Sequence, residues 1–193
     1  MNPPLSDQEL VKESLISPDA FGHLVERYEA KLLRFIRRLT GTSTPSAEDI
    51  LQEAFIKIYQ HLNDYNPDLS FSAWAYRITR NEAVNDYRKH KNSKTISLES
   101  DEEDTQNLIR VLADKTDIPL EFSKKELGEK VQKILSLLSS SYRDVLILKF
   151  LEELSYEEIS DVLKIPMGTV ATLIHRAKDD FKKIAAKNHY LLD

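Results

Sequence analysis

The sequence predicts an all-α protein made of two small helical units joined by a flexible acidic linker. Three observations carry this. Apolar residues recur at three-and-four spacing over most of the chain, glycine occupies only four of 193 positions, and the alternating pattern of a half-buried strand is scarce. A hydrophobic share of 41% suits modest cores, and the length allows two small domains.

The first predicted helix runs from about Pro18 to Thr40, because Phe21, Leu24, Val25, Tyr28, Leu32, Phe35, Ile36 and Leu39 share one face. Gly41 stops it. A second stripe of Ile50, Leu51, Ala54, Phe55, Ile58, Tyr59 and Leu62 predicts a helix opened by Pro45 and Ser46 and ending near Asn63, with Ser46 as its cap. After Asn66-Pro67, a third stripe of Phe71, Trp74, Ala75 and Ile78 begins a helix to about Lys91. Residues 1–92 form the first domain in this reading, and residues 93–121, rich in Ser, Thr and acidic groups, form the linker. Residues 122–193 form the second, with stripes at Leu127, Val131, Ile134, Leu135 and Leu138, then Val145, Leu146 and Lys149-Phe150.

The segment Leu154 to Ile184 has the pattern of a helix-turn-helix. Ser155 followed by Glu158 makes a capping box, and Ile159, Val162 and Leu163 give the short helix a buried face. Lys164-Ile165-Pro166 ends it. In the next helix Val170, Ile174, Ala177, Phe181 and Ile184 point inward, leaving Thr169, Thr172, His175, Arg176 and Lys178 outward, with Lys182 and Lys183 near the end. Such a face suits phosphate contacts and one or two base contacts in a major groove. An ordinary helical hairpin with a charged exterior has the same periodicity.

The net charge of −5 argues at first against nucleic acid, whose binding draws on Lys and Arg. The distribution reverses that reading. Between Thr95 and Glu121 eight acidic residues face two basic ones, a local −6, so the rest of the chain is near +1. Arg77, Arg80, Arg88, Lys89, Lys91 and Lys94 cluster against only Glu82 and Asp86. The absence of cysteine removes disulfides and thiolate metal sites. No glycine-rich phosphate loop is present and the five histidines are dispersed, so no enzyme activity, cofactor or metal is expected. No stretch approaches the roughly 18 apolar residues of a membrane span, and Met1 to Leu10 lacks a signal-peptide pattern. A cytoplasmic location is the expectation.

Four stretches together are similar to the extracytoplasmic-function sigma factors of RNA polymerase, in that family's order and without its larger members' middle domain. Ala47-Glu48-Asp49-Ile50-Leu51-Gln52-Glu53-Ala54-Phe55 resembles the segment that binds the polymerase clamp helices. Phe71 to Asn81 followed by Asp86-Tyr87-Arg88-Lys89 resembles the helix that reads the minus-ten element. Ser141-Tyr142-Arg143-Asp144-Val145 with Leu154 to Ile159, then Pro166 to Val170 with His175-Arg176-Ala177, resembles the domain that reads the minus-thirty-five element.

The resemblance implies a factor that binds core polymerase, directs promoter-specific initiation and helps melt DNA. Asp49, Gln52, Glu53 and Phe55 would meet the core enzyme, the first three sharing one helix face that is otherwise a solvated acidic surface. For minus-ten DNA it implies Tyr65, Asn66 and Ser70 in a base-capturing loop, with Arg77, Arg80, Asn81, Arg88 and Lys89 along the helix. Asn81 has two readings, a satisfied buried amide or a DNA-facing one. Trp74 is expected in the core. For minus-thirty-five DNA it implies Thr169, Ala171, Thr172, His175, Arg176 and Lys178. Implied partners are the clamp helices of the largest polymerase subunit, the flap of the second-largest, promoter DNA and an anti-sigma factor.

Asp101 to Asp104 would lie in the channel later taken by RNA, or form a plain solvated spacer. Where family members often carry Lys, Ser and Arg after Thr-Val, this chain has Ala171, Thr172 and Leu173, which leaves weaker binding and altered specificity as the two readings. A free-standing helix-turn-helix regulator is the rival function. It accounts for the second unit and not the first.

Overall fold

The computed structural model describes residues 5–90 and 124–187, with side chains over 5–89 and 128–187. The acidic linker expected over residues 93–121 lies outside the described residues, as does the side chain of Leu127. All regular elements among the described residues are helical, as expected, and the chain divides into two compact units.

The first unit contains α1 (Asp7–Ile16), a 3-10 turn (Pro18–Ala20), α2 (Phe21–Thr40), α3 (Thr44–Gln60), a second 3-10 turn (Leu62–Asp64) and α4 (Phe71–His90). Helix α1 carries a weak apolar pattern, with only Leu10 and Val11 as buried apolar residues, and periodicity did not announce it. Its start is nonetheless written locally. Ser6 Oγ accepts from the Glu9 amide while the Glu9 carboxylate accepts from the Ser6 amide, a capping box that satisfies two otherwise orphaned donors.

Helix α2 begins at Phe21 rather than Pro18, because Pro18 to Ala20 forms its own 3-10 turn. It ends as Gly41 turns into the left-handed region with φ of 65°. Helix α3 starts at Thr44, which corrects the expected cap. Pro45 is then the second helical residue, where a missing amide hydrogen costs nothing, and Ser46 lies inside the first turn. The core joins Leu24, Leu32, Phe35 and Ile36 of α2 to Ala47, Ile50, Leu51, Ala54 and Ile58 of α3 and Phe71, Trp74, Ala75 and Tyr76 of α4. On α4 the buried arc is wider than expected and turned toward Tyr76, Thr79 and Ala83, which leaves Ile78 half-buried.

The second unit contains α5 (Lys124–Leu137), α6 (Ser140–Leu146) running into a π-helical turn (Ile147–Leu151), α7 (Tyr156–Leu163) and α8 (Met167–Lys187). Five consecutive residues, Asp144 to Leu148, are buried, so this element runs through the centre of its unit. The π turn closes with the Glu152 amide on the Ile147 carbonyl and the Leu154 amide on the Leu148 carbonyl. Lys149 and Phe150, expected in the apolar stripe, are half-buried. The Lys149 ammonium donates to the Leu154 carbonyl and sits 5.2 Å from the Tyr156 ring centroid, fixing the entry to α7. At the far end of α8, Ile184 is half-buried and Ala185 takes the interior place.

Candidate polymerase and nucleic-acid interfaces

Helix α3 separates its buried face from an exposed one. Asp49, Gln52 and Glu53 are all exposed on α3, as the i, i+3, i+4 spacing requires. Phe55 is half-buried, its ring edge-on to Phe21 of α2 with centroids 6.4 Å apart. Beside it lies an open groove of about 910 Å3 whose walls include Phe21, Val25 and Leu33 of α2 and Leu51, Phe55 and Tyr59 of α3. Ile56 and Tyr59 are 42% and 43% exposed there, so Tyr59, expected in the core stripe, belongs to the surface. The apolar arc of α3 is broader than packing on α2 and α4 demands. That excess, visible as Phe55, Ile56 and Tyr59 in one turn, was the signal for the groove.

The loop between α3 and α4 is held from within. Asn66 Oδ1 accepts from the Asp68 amide and the Asn66 carbonyl from the Leu69 amide, which makes a tight turn around Pro67. Ser70 Oγ accepts from the Ala73 amide and so caps α4. Tyr65, implied as a member of the base-capturing loop, turns inward instead. It is 7% exposed, its hydroxyl donates to the Leu69 carbonyl at 2.6 Å, and its ring packs on Phe71 and Trp74. Burial pushes its phenol above the ordinary range. Trp74 lies in the core as expected, while Asn66 and Asp68 stand exposed.

Along α4, Arg77, Arg80, Asn81 and Arg88 fall within one arc of the helix, since positions 77, 81 and 88 repeat nearly every 3.6 residues. Arg77 and Arg80 are half-buried; Asn81, Arg88 and Lys89 are exposed. The two readings of Asn81 thus resolve to the surface one. Tyr87, 38% exposed and two turns beyond Arg80, adds a ring to this cationic face; the Asp86-Tyr87-Arg88-Lys89 motif contains it, with no separate role expected for it. An aromatic inside a run of cations was the available sign.

In the second unit, α7 and α8 meet as the helix-turn-helix pattern predicts. Ser155 and Glu158 make the capping box, at 2.9 Å and 3.1 Å. Lys164 takes the left-handed conformation with φ of 55°, and Ser160 Oγ donates to the Ile165 carbonyl at 2.6 Å, closing the turn. The inward face of α8 is Val170, Ile174, Ala177 and Phe181. Outward, Thr169, Thr172, His175 and Arg176 are exposed, while Ala171 and Lys178 are half-buried. The Thr172 hydroxyl donates back to the Gly168 carbonyl at 3.0 Å. His175 lies 3.4 Å from Asp179, so an acidic group interrupts the cationic surface.

The sigma-70 region 2 family matches residues 24–93 and the sigma-70 region 4 family matches residues 128–180. The ECF RNA polymerase sigma factor SigW of Bacillus subtilis is 34% identical over 168 residues, covering 86% of this chain and 88% of that protein. The ECF RNA polymerase sigma-E factor of Escherichia coli K12 is 31% identical over 184 residues, covering 93% and 94%. Among solved structures, CnrH in complex with the cytosolic domain of CnrY has a TM-score of 0.69 at 24% identity, covering 94% of this chain and 97% of that one. The sigma factor RpoE in complex with the anti-sigma factor NepR from Bartonella quintana has a TM-score of 0.62 at 20% identity, covering 86% and 96%. The curated relatives span both helical units, and a rival built only from the helix-turn-helix leaves residues 24–93 unexplained. The chain belongs to the extracytoplasmic-function group of the sigma-70 family of RNA polymerase sigma factors.

Proposed function

We propose that this sigma factor meets core polymerase through the Asp49, Gln52 and Glu53 face with the Phe55 groove beside it. By the same reading, Asn66, Ser70, Arg77, Arg80, Asn81, Arg88 and Lys89 engage the minus-ten element. Thr169, Ala171, Thr172, His175, Arg176 and Lys178 engage the minus-thirty-five element. The role is non-catalytic and cytoplasmic, an anti-sigma factor restrains it, and the domain limits are residues 1–92 and 122–193. One observation carries the assignment of surfaces: exposed acid on α3, exposed cation on α4 and exposed polar groups on α8 stand outside three separate buried stripes.

Acid suits a basic polymerase surface and cations suit displaced DNA. Transcription in vitro from a promoter library, with purified core polymerase, tests the whole reading. Initiation at a defined promoter class with added core, and poor duplex binding without it, is the expected result. A free-standing regulator binds its operator unaided and does not restart core polymerase. Glu53→Lys should weaken assembly with core, and unchanged assembly would remove α3 from the interface.

A further inference from the structure

Helix α1 lies before the segment matched to sigma region 2, which begins at residue 24. It is nevertheless tied to the loop between α3 and α4. The Gln8 side-chain amide donates to the Pro67 carbonyl at 2.8 Å, across 59 residues of sequence. Pro67 stands at the turn formed by Asn66 and Asp68, so this bond ties the carbonyl within that turn to α1.

What places Gln8 there is its neighbour. Asp7 accepts from Arg27 Nη1 at 2.6 Å and from the Tyr28 hydroxyl at 2.5 Å, and Arg27 Nη2 reaches back to the Leu5 carbonyl at 2.6 Å. These bonds pin the first turn of α1 to α2, while Leu10 and Val11 are buried below it. The Tyr28 ring then meets Phe71 edge-on at 5.4 Å, and Phe71 meets Tyr65 edge-on at the same distance. The loop is therefore approached from α1 along two routes. One is the direct bond at its turn, and the other is an aromatic chain beneath its base.

We propose that α1 is a brace for the promoter-reading loop, and that Gln8 is a positioning residue for minus-ten base selection, holding Pro67 so that Asn66 and Asp68 present one geometry to the base. This rests on the reading of the loop as a base-capturing element. Gln8 itself need not touch DNA. Its bond is solvent-exposed and contributes little to stability, but it removes alternative loop conformations that would accept other bases.

The test uses the full chain assembled with core polymerase on promoters that differ only at successive minus-ten positions, with open-complex formation followed by 2-aminopurine fluorescence. Gln8→Glu keeps the size and removes the donor; Gln8→Lys keeps a donor. The expected result is that Gln8→Glu lowers the preference for the best base over the other three by roughly two- to tenfold, as losing one hydrogen bond's bias implies. Gln8→Lys retains most of it, and core affinity and melting temperature stay within error for both. An unchanged preference in Gln8→Glu, or an equal loss on every promoter, overturns the brace. Asn66→Ala separates the two ideas. If it alters the preference while Gln8→Glu does not, the loop reading stands and the brace falls; if it changes nothing, the loop reading itself falls.

Discussion

Lys57 of α3 and Glu82 of α4 form an ion pair that fastens the helix carrying the acidic face to the helix carrying the cationic one. The two ends differ in their surroundings. The Lys57 side chain is 43% exposed and the Glu82 side chain 12%.

That asymmetry predicts unequal costs. Lys57→Met leaves a mostly buried carboxylate without its cation and should destabilise the first unit by about 1 to 3 kcal/mol. Glu82→Gln leaves an ammonium that water can reach and should cost less. Urea denaturation of both variants checks the order, and a greater loss in Glu82→Gln contradicts it.

Thr79 is fully buried, and its hydroxyl has no hydrogen-bond partner among the described residues. Thr79→Val replaces that hydroxyl with a methyl of similar size. The variant should melt a few degrees higher, a gain of about 1 kcal/mol, because no polar group is then desolvated. A lower melting temperature would mean that the hydroxyl has a partner in solution.

Tyr28 should confer alkaline sensitivity. Burial first, and the hydrogen bond to Asp7 second, push its phenol well above the ordinary range. A group raised on folding contributes stability that is complete below its unfolded value, about pH 10, and drains away as pH climbs past it. Stability measured from pH 8 to 11 should therefore fall, with Tyr65, also raised, adding to the slope. Tyr28→Phe should start lower at neutral pH and fall less steeply.

The Ser155 cap supports the helix-turn-helix from one end. Ser155→Ala removes the acceptor for the Glu158 amide and should cost about 1 kcal/mol. Calorimetry of the full chain should show the transition of the second unit lowered. An unshifted transition would mean that the cap is replaced by water without loss.

Asp179, 3.4 Å from His175 on the outward side of α8, places negative charge beside the surface proposed for minus-thirty-five DNA. Asp179→Asn should raise affinity for minus-thirty-five duplex by roughly two- to fivefold at low salt, with the gain shrinking as salt rises. Equal affinity at every salt concentration would place α8 outside the DNA contact.

Much of this was legible in the sequence because it is local. The spacing of Leu24 to Leu39 is a property of one helix, and the Ser155 to Glu158 box spans four residues, so period and short-range hydrogen bonding suffice to foresee both. The same logic was available for Ser6 and Glu9, though the thin apolar face of α1 hid the helix they open. Local pattern also foresaw that Asp49, Gln52 and Glu53 lie together on the surface.

Availability of a side chain is a different matter, because it depends on what other helices bring against it. Tyr65 has the chemistry of a base platform, yet Phe71 and Trp74 close over it and Leu69 takes its hydroxyl. Tyr59 has the spacing of a core residue, yet it remains on the wall of an open groove with Phe21. Gln8 reaches Pro67 only because Asp7 is seated on Arg27 and Tyr28. The sequence by itself determined the helical class of the described residues, the order of the helices after α1 and the two sigma regions, since these follow from periodicity and motif along a continuous chain. Only the tertiary structure decided which polar and aromatic groups are free to face a partner, since burial is a sum over neighbours distant in sequence.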